Sequence, residues 1–212
     1  IEASNDVLEW SKPVEDTPNE SEYLELEFHG GVPVSVNGKK MGGVELVNLV
    51  NHKAGSHGIG VIDHLEDRLV GIKSREVYEA PAAVTIIEAH KDLEKLVLTR
   101  NQVEFKAIVE QRWAWLVYSG LWVDPLRVNL DNFIDSTQKK VEGKVKIKLF
   151  KGNAGVVSRS SPYSLYDSEL ATYSSSSTFN QKTAEGFIDL WGLSSRVAHN
   201  VNFKKSKEVN TD

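Results

Sequence analysis

The stretch Tyr23–Gly38, YLELEFHGGVPVSVNG, decides the fold class of this chain. Apolar and polar residues alternate in its first part, which is the period of a β-strand with one buried face. A Gly-Gly pair interrupts the pattern, alternating valines resume it from Val32, and the closing Asn-Gly is a strong hairpin-turn signal. The stretch therefore predicts two antiparallel strands, and its end is compatible with a third.

The same period returns late in the chain. From 141 to 149 apolar residues alternate with lysines, Gly152-Asn153 supplies a turn, and residues 154–157 predict the returning strand. Between the two hairpins, helical spacing predicts a helix over 44–50, and residues 59–72 are interpreted as a β segment. Three long helices follow, the first opening at Pro81 and the third at Pro125.

One last helix is predicted after Thr183. Its apolar stripe consists of Phe187, Leu190, Trp191, Val197 and Val201. Antiparallel hairpins, a block of three long helices and a C-terminal helical arm define an α+β class.

Three segments are predicted from composition. Residues 1–22 are an acidic connecting arm, too polar to order itself, in which Trp10 is the one candidate anchor. Residues 23–180 form the main domain. Residues 181–212 form the C-terminal helix and its lysine-rich tail.

Composition excludes several classes of function. The 212 residues have a net charge of -5 and contain no cysteine, which argues against nucleic-acid partners, disulfides and thiolate zinc sites. The longest apolar run, Trp113–Val123, has about half the twenty residues that a membrane span needs. The N-terminus carries no signal-peptide pattern, and the chain reads as a piece of a longer, cytoplasmic protein.

Motifs of common active sites are absent, so the catalytic residues stay unknown from sequence. His52, His57 and His64 lie close in sequence, but their spacing matches no common metal site, and we interpret them as structural. The glycine-rich segment Ala54–Gly60 follows a helix and precedes a strand, the reverse of a phosphate-binding turn, so it predicts a structural turn.

Five collinear segments resemble argininosuccinate synthases. They are AGSHGIGVIDHLEDRLVGIKSREVYEAP (54–81), LVYSGLW (116–122), VEGKVKIKLFKGN (141–153), SPYSLYD (161–167) and AEGFIDLWGL (184–193). The resemblance implies the C-terminal, substrate-binding and multimerisation half of a ligase of arginine biosynthesis and the urea cycle. In that family ATP adenylates the ureido oxygen of citrulline, and the amine of aspartate then displaces AMP.

The resemblance also implies the site. Glu66 in LEDRL and Tyr78 in SREVYEAP correspond to two citrulline contacts of the family. The family's SGGLDTS-type phosphate loop is missing, so we expect ATP and Mg²⁺ to bind only in the intact enzyme. This segment alone is expected to bind no cofactor or metal and to be inactive. A homotetramer is the family's usual assembly.

Two alternatives stay open at this point. Glu66 could simply pair with Arg68 or Arg75 while Tyr78 packs, since most surface ion pairs have little effect. The chain could also be a non-catalytic assembly or binding paralogue. The sequence departs from the family pattern at Val61, Asp67, Glu76 and Ala80, which concentrates negative charge around Glu66.

Overall fold

The computed structural model describes residues 4–172 and 178–209, without the side chains of 204–209. Its strands are β1 (Glu22–His29), β2 (Val32–Val36), β3 (Lys39–Lys40), β4 (Val61–Asp67), β5 (Lys73–Glu79), β6 (Gly143–Phe150) and β7 (Asn153–Ser160). Its helices are α1 (Gly43–Ser56), α2 (Pro81–Val97), α3 (Arg100–Tyr118), α4 (Pro125–Gln138), α5 (Ser168–Ala171), α6 (Thr183–Trp191) and α7 (Leu193–Val209). The α+β class is confirmed.

Both predicted hairpins enter one antiparallel sheet. Its order is β3-β2-β1-β6-β7, so the first hairpin pairs with the second through β1 and β6. In that register Leu24 lies opposite Ile147 and Leu26 opposite Val145, and all four side chains are fully buried. Period-two alternation thus places one apolar face against the helices and leaves the lysine face of β6 in water.

Two helices cover the apolar face. α1 packs against α2 and β2, while α2 also packs against β6 and β7. Leu46 and Val50 of α1 and Leu93 of α2 are completely buried there. Each such side chain contributes about 2 kcal/mol by leaving water, which is why the helical stripe seen in the sequence locates the core.

The acidic arm differs from the expectation that it would not order itself. It contains two short 3-10 turns, Asn5–Val7 and Val14–Asp16, and buries Ser11 and Thr17. The ring of Trp10 is 58% exposed and is not the anchor. Backbone hydrogen bonds hold the arm instead, a source of order that composition does not reveal.

The chain divides into two compact units, residues 1–165 and 166–212. In the second unit the single C-terminal helix predicted after Thr183 is wrong. The helix ends at Trp191, and α7 starts at Leu193 after Gly192. Glycine has a low helix propensity, so an interruption there costs little. The polar serine loop at 174–177 lies outside the described residues.

No helix in the described part of the chain combines the length and apolar character needed to cross a bilayer.

Candidate functional site

Residues 61–79 form an exposed hairpin between α1 and α2. β4 and β5 pair antiparallel with Val61 opposite Glu79 and Asp67 opposite Lys73. The turn is closed by the N–H of Arg68 donating to the carbonyl of Ile72 at 2.9 Å, and Gly71 adopts a φ of +80°. The expectation of one β segment over 59–72 was therefore incomplete, because the chain turns at 68–72 and returns as β5.

The register brings the two predicted site residues to one face. Glu66 lies opposite Ser74 and Tyr78 opposite Ile62, so both side chains have the same parity in the hairpin. The Tyr78 hydroxyl donates to Oε2 of Glu66 at 3.1 Å. Glu66 is half-buried, and Tyr78 is 43% exposed. The pair forms a solvent-accessible polar site with one carboxylate and one phenol.

Partial desolvation of the ring raises the pKa of Tyr78, and its hydrogen bond to the Glu66 carboxylate raises it further. A raised pKa favours the neutral phenol, which can donate to one oxygen while accepting from another donor. The site therefore presents a carboxylate acceptor beside a neutral hydroxyl.

The negative charges around Glu66 are paired with cations. Arg68 contacts Glu76 at 2.8 Å and also donates from Nε to Ser74 at 3.1 Å. Lys73 contacts Asp67 at 2.7 Å. Two of the departures from the family pattern, at 67 and 76, thus add carboxylates that each have a cationic partner.

Neither expected alternative partner binds Glu66. The guanidinium of Arg68 lies on Glu76, and its hydrogen bond there raises the pKa of Arg68. Arg75 binds Asp63, from Nε at 2.8 Å and from Nη2 at 2.5 Å, and the hydrogen bond lowers the pKa of Asp63. Glu66 instead accepts a hydrogen bond from the Tyr78 hydroxyl.

The three histidines lie apart in the fold. His52 is on α1, His57 caps the end of that helix with its side chain buried, and His64 is on β4. Among residues 4–172 and 178–203 no group of three or more histidine, aspartate or glutamate side chains is arranged to hold a metal ion.

Backbone atoms of neighbouring segments pack closely against the glycine-rich turn. A Cβ on Gly55 would lie 2.3 Å from the carbonyl oxygen of Trp10, and one on Gly60 would lie 2.5 Å from the nitrogen of Pro81. Gly58 and Gly60 also have φ values of +72° and +87°. These glycines permit close backbone approach and left-handed geometry.

Arg68, Ser74 and Glu76 were not predicted as part of the site. They share the face of Glu66 because residues of equal parity in a paired hairpin point the same way. Gly71, set between apolar residues, was the available signal for the turn. A turn centred near Gly71 pairs Glu66 with Ser74 and so brings Arg68, Ser74 and Glu76 next to Glu66.

The fold and the hairpin define the class: an α+β domain with an exposed acidic hairpin inserted between two core helices. The model of the "Arginosuccinate synthase C-terminal domain" matches residues 1–198. The chain belongs to the argininosuccinate synthase family.

Three relatives illustrate the similarity. The argininosuccinate synthase of Pyrococcus furiosus is 56% identical over 95% of this chain and 49% of its own length. The argininosuccinate synthase of Gloeobacter violaceus is 54% identical over 92% of this chain and 49% of its own length. That of Trichodesmium erythraeum is 52% identical over 93% of this chain and 49% of its own length. The chain thus spans about half the length of these relatives.

Proposed function

We propose that this chain supplies the citrulline-binding hairpin and the subunit-assembly helices of an argininosuccinate synthase, a ligase of arginine biosynthesis acting in the cytoplasm. The observation that supports it best is the contact between Tyr78 and Glu66, 3.1 Å long, on the open face of the hairpin. The relatives named above are argininosuccinate synthases, which supports the choice of reaction.

The chemistry of the pair suits citrulline. Its α-ammonium and ureido groups are hydrogen-bond donors, and an ionised carboxylate accepts such donors strongly. Glu66 would accept from the substrate while Tyr78 orients the carboxylate through its hydroxyl. The carboxylate of Glu76 on the same face is engaged by Arg68, which leaves Glu66 as an acceptor for substrate there.

In the intact enzyme, ATP would adenylate the ureido oxygen of citrulline with release of pyrophosphate. The aspartate amine would then attack the activated carbon and release AMP. We assign no residue of this chain to the phosphates, because its glycine-rich turn runs from a helix into a strand and is filled by backbone packing. ATP and Mg²⁺ would be held by the part of the enzyme that this chain does not span.

Assembly is the second part of the proposal. Phe187 and Trp191 stack at 5.3 Å between ring centroids on α6, and both are more than half exposed. Leu190 beside them is 76% exposed. Large exposed apolar side chains with a central tryptophan are typical of interfaces, which favours a homo-oligomer, with a tetramer expected for this family.

The substrate assignment is tested by Glu66→Gln in the full-length enzyme. Removing the charge from this acceptor should weaken citrulline by about 1.5–3 kcal/mol, roughly ten- to a hundredfold in KM, while the KM for ATP changes little. Asp63→Asn is the matched control. It removes a carboxylate from the same strand, but one that binds Arg75. Equal KM values for citrulline in Glu66→Gln and the parent enzyme would refute the assignment.

A further inference from the structure

The acidic arm lies along the junction where α1 ends and β4 begins. The N–H of Lys12 donates to the carbonyl of Gly55 at 3.0 Å, and the hydroxyl of Ser11 donates to the carbonyl of Ile59 at 3.4 Å. The side chain of Ser11 is buried. A Cβ on Gly55 would lie only 2.3 Å from the carbonyl oxygen of Trp10, so the two backbones are in direct contact.

Glu79 fastens the arm from the other side. Its carboxylate accepts three consecutive backbone N–H groups, from Glu9 at 2.7 Å, Trp10 at 2.9 Å and Ser11 at 2.6 Å. Hydrogen bonds to an ionised carboxylate are about twice as strong as neutral ones. Partial burial acts to raise the pKa of Glu79, but these bonds outweigh it and the pKa is lowered, as expected for a carboxylate that stays ionised.

This contact lies at the base of the hairpin. Glu79 is the last residue of β5 and pairs with Val61, the first residue of β4. One step further, the N–H of Ala80 donates to the carbonyl of Gly60 at 2.8 Å, and α2 then begins at Pro81. Within the described residues β4 and β5 form a two-stranded sheet of their own. Contacts at the base therefore largely determine the direction in which the hairpin points.

We infer that Glu79 is a positioning residue for the Glu66–Tyr78 pair, fixing the hairpin to the arm so that citrulline is presented in one orientation. The inference rests on the proposed function for the identity of the ligand. Glu79 follows Tyr78 directly and therefore has the opposite parity in the strand, so its carboxylate does not share the face of the pair. It acts through the backbone of the arm.

The contact of Glu79 with the arm, here called the clamp, can be lost without breaking the Glu66–Tyr78 pair. The Glu66–Tyr78 hydrogen bond is internal to the hairpin and would survive a small rotation about the base. Such a rotation would still displace bound citrulline from a reacting group held elsewhere in the enzyme. A displacement of about 1 Å can reduce the rate roughly a hundredfold while ground-state contacts persist.

The first test measures amide hydrogen exchange by NMR in this chain. Glu79→Gln should speed exchange at Glu9, Trp10 and Ser11 by roughly ten- to a hundredfold, because it removes charge-assisted acceptors. In the parent chain these three amides should also titrate together on acidification, with a midpoint below the usual range for glutamate. That shared titration should vanish in Glu79→Gln. Asp63→Asn, which removes a carboxylate that accepts from none of these three amides, should leave their exchange and titration unchanged.

The second test uses the full-length enzyme. Glu79→Gln should lower kcat by roughly tenfold or more with less than about a threefold change in the KM for citrulline. Glu66→Gln should show the opposite split. Glu79→Asp keeps the charge and should recover part of the lost kcat, which a purely steric role would not predict.

Each outcome decides the matter. Unchanged exchange at the three arm amides would overturn the inference, as would a Glu79→Gln enzyme with normal kcat. Failure of the proposed function would look different. Glu66→Gln would leave citrulline binding intact, while Glu79→Gln would still speed exchange at the arm amides. That result would support the clamp and overturn its role in placing citrulline.

Discussion

Tyr78 reports directly on the state of Glu66, because its hydroxyl donates to that carboxylate. Its pKa is raised first by desolvation and second by the bond to Glu66. Because both causes favour the neutral phenol, the raised pKa favours the folded chain below the ordinary pKa of tyrosine. This contribution is lost as the pH rises through the higher value in the folded state.

We therefore predict that Glu66→Gln lowers the pKa of Tyr78 but leaves it above its ordinary value, because the desolvation remains. The measurement is an alkaline NMR titration with label on the tyrosine ring carbon that bears the hydroxyl. Asp63→Asn should leave the Tyr78 titration unchanged. An identical Tyr78 titration in Glu66→Gln would mean that the two side chains are not bonded in solution.

At this scale the sequence offered the two residues as candidates but did not predict their geometry. Glu66 and Tyr78 came from the family resemblance, and their contact depends on a register that follows from the turn at 68–72. Arg68 and Glu79 carry no local signal, because their partners lie across the strand or some seventy residues away in the arm. Long-range backbone contacts of this kind are not encoded in periodicity.

At the scale of elements, α2, α3 and α4 meet around a buried charged side chain. Lys106 is 3% exposed and contacts Glu94 at 3.0 Å as well as Glu110. The side-chain amide of Gln138 donates to Glu94 at 2.7 Å, and its oxygen lies 2.8 Å from Nε2 of His90. Three helices are thus joined by polar contacts among largely buried side chains, where each group depends on its partners.

Removing the ammonium group of Lys106 should destabilise the folded chain. We predict that Lys106→Met lowers the free energy of unfolding by about 3–5 kcal/mol, because the buried carboxylate of Glu94 would lose its ammonium partner. The double variant Lys106→Met with Glu94→Gln should recover most of the loss. Urea unfolding of both variants measures the difference.

Lys39→Met is the matched control, since its pair with Glu45 is exposed and should be worth under about 1 kcal/mol. If Lys106→Met were as mild as this control, the buried network would not depend on its cation.

The elements themselves were largely predictable. Strong alternation marked β1, β2 and β6, and prolines marked the starts of α2 and α4. β5 was missed because its sequence, KSREVYE, is exposed and charged and carries little hydrophobic pattern. The apolar stripe of the C-terminal segment continues past Gly192 and predicts one helix, although the backbone breaks into two helices there.

At the scale of the whole molecule, we expect the exposed apolar face of α6 to be covered by a second copy of the chain. We predict that Trp191→Ser weakens self-association by roughly 2 kcal/mol or more, about thirtyfold in the dissociation constant, because tryptophan is enriched at binding hot spots. Val44→Ser on α1, where Val44 is 78% exposed, is the control and should not change assembly. Light scattering at several concentrations gives the mass of each variant.

Truncation after Ser177 extends this test by removing α6 and α7 entirely. The shortened chain should stay folded by circular dichroism, since the core cluster lies entirely in the first unit. A folded, truncated chain that kept the parent's mass would place the interface elsewhere.

The close contact between the arm and Gly55 has a consequence for protein engineering. In a chimera that joins this chain to the remaining half of another argininosuccinate synthase, a crossover near Tyr23 would import a foreign arm. The imported arm would then have to fit a surface where the gap at Gly55 admits no Cβ and where Glu79 binds three successive amides. A crossover upstream of Ser4 keeps the arm together with the surface on which it packs. The acidic segment should therefore be transferred as part of this half.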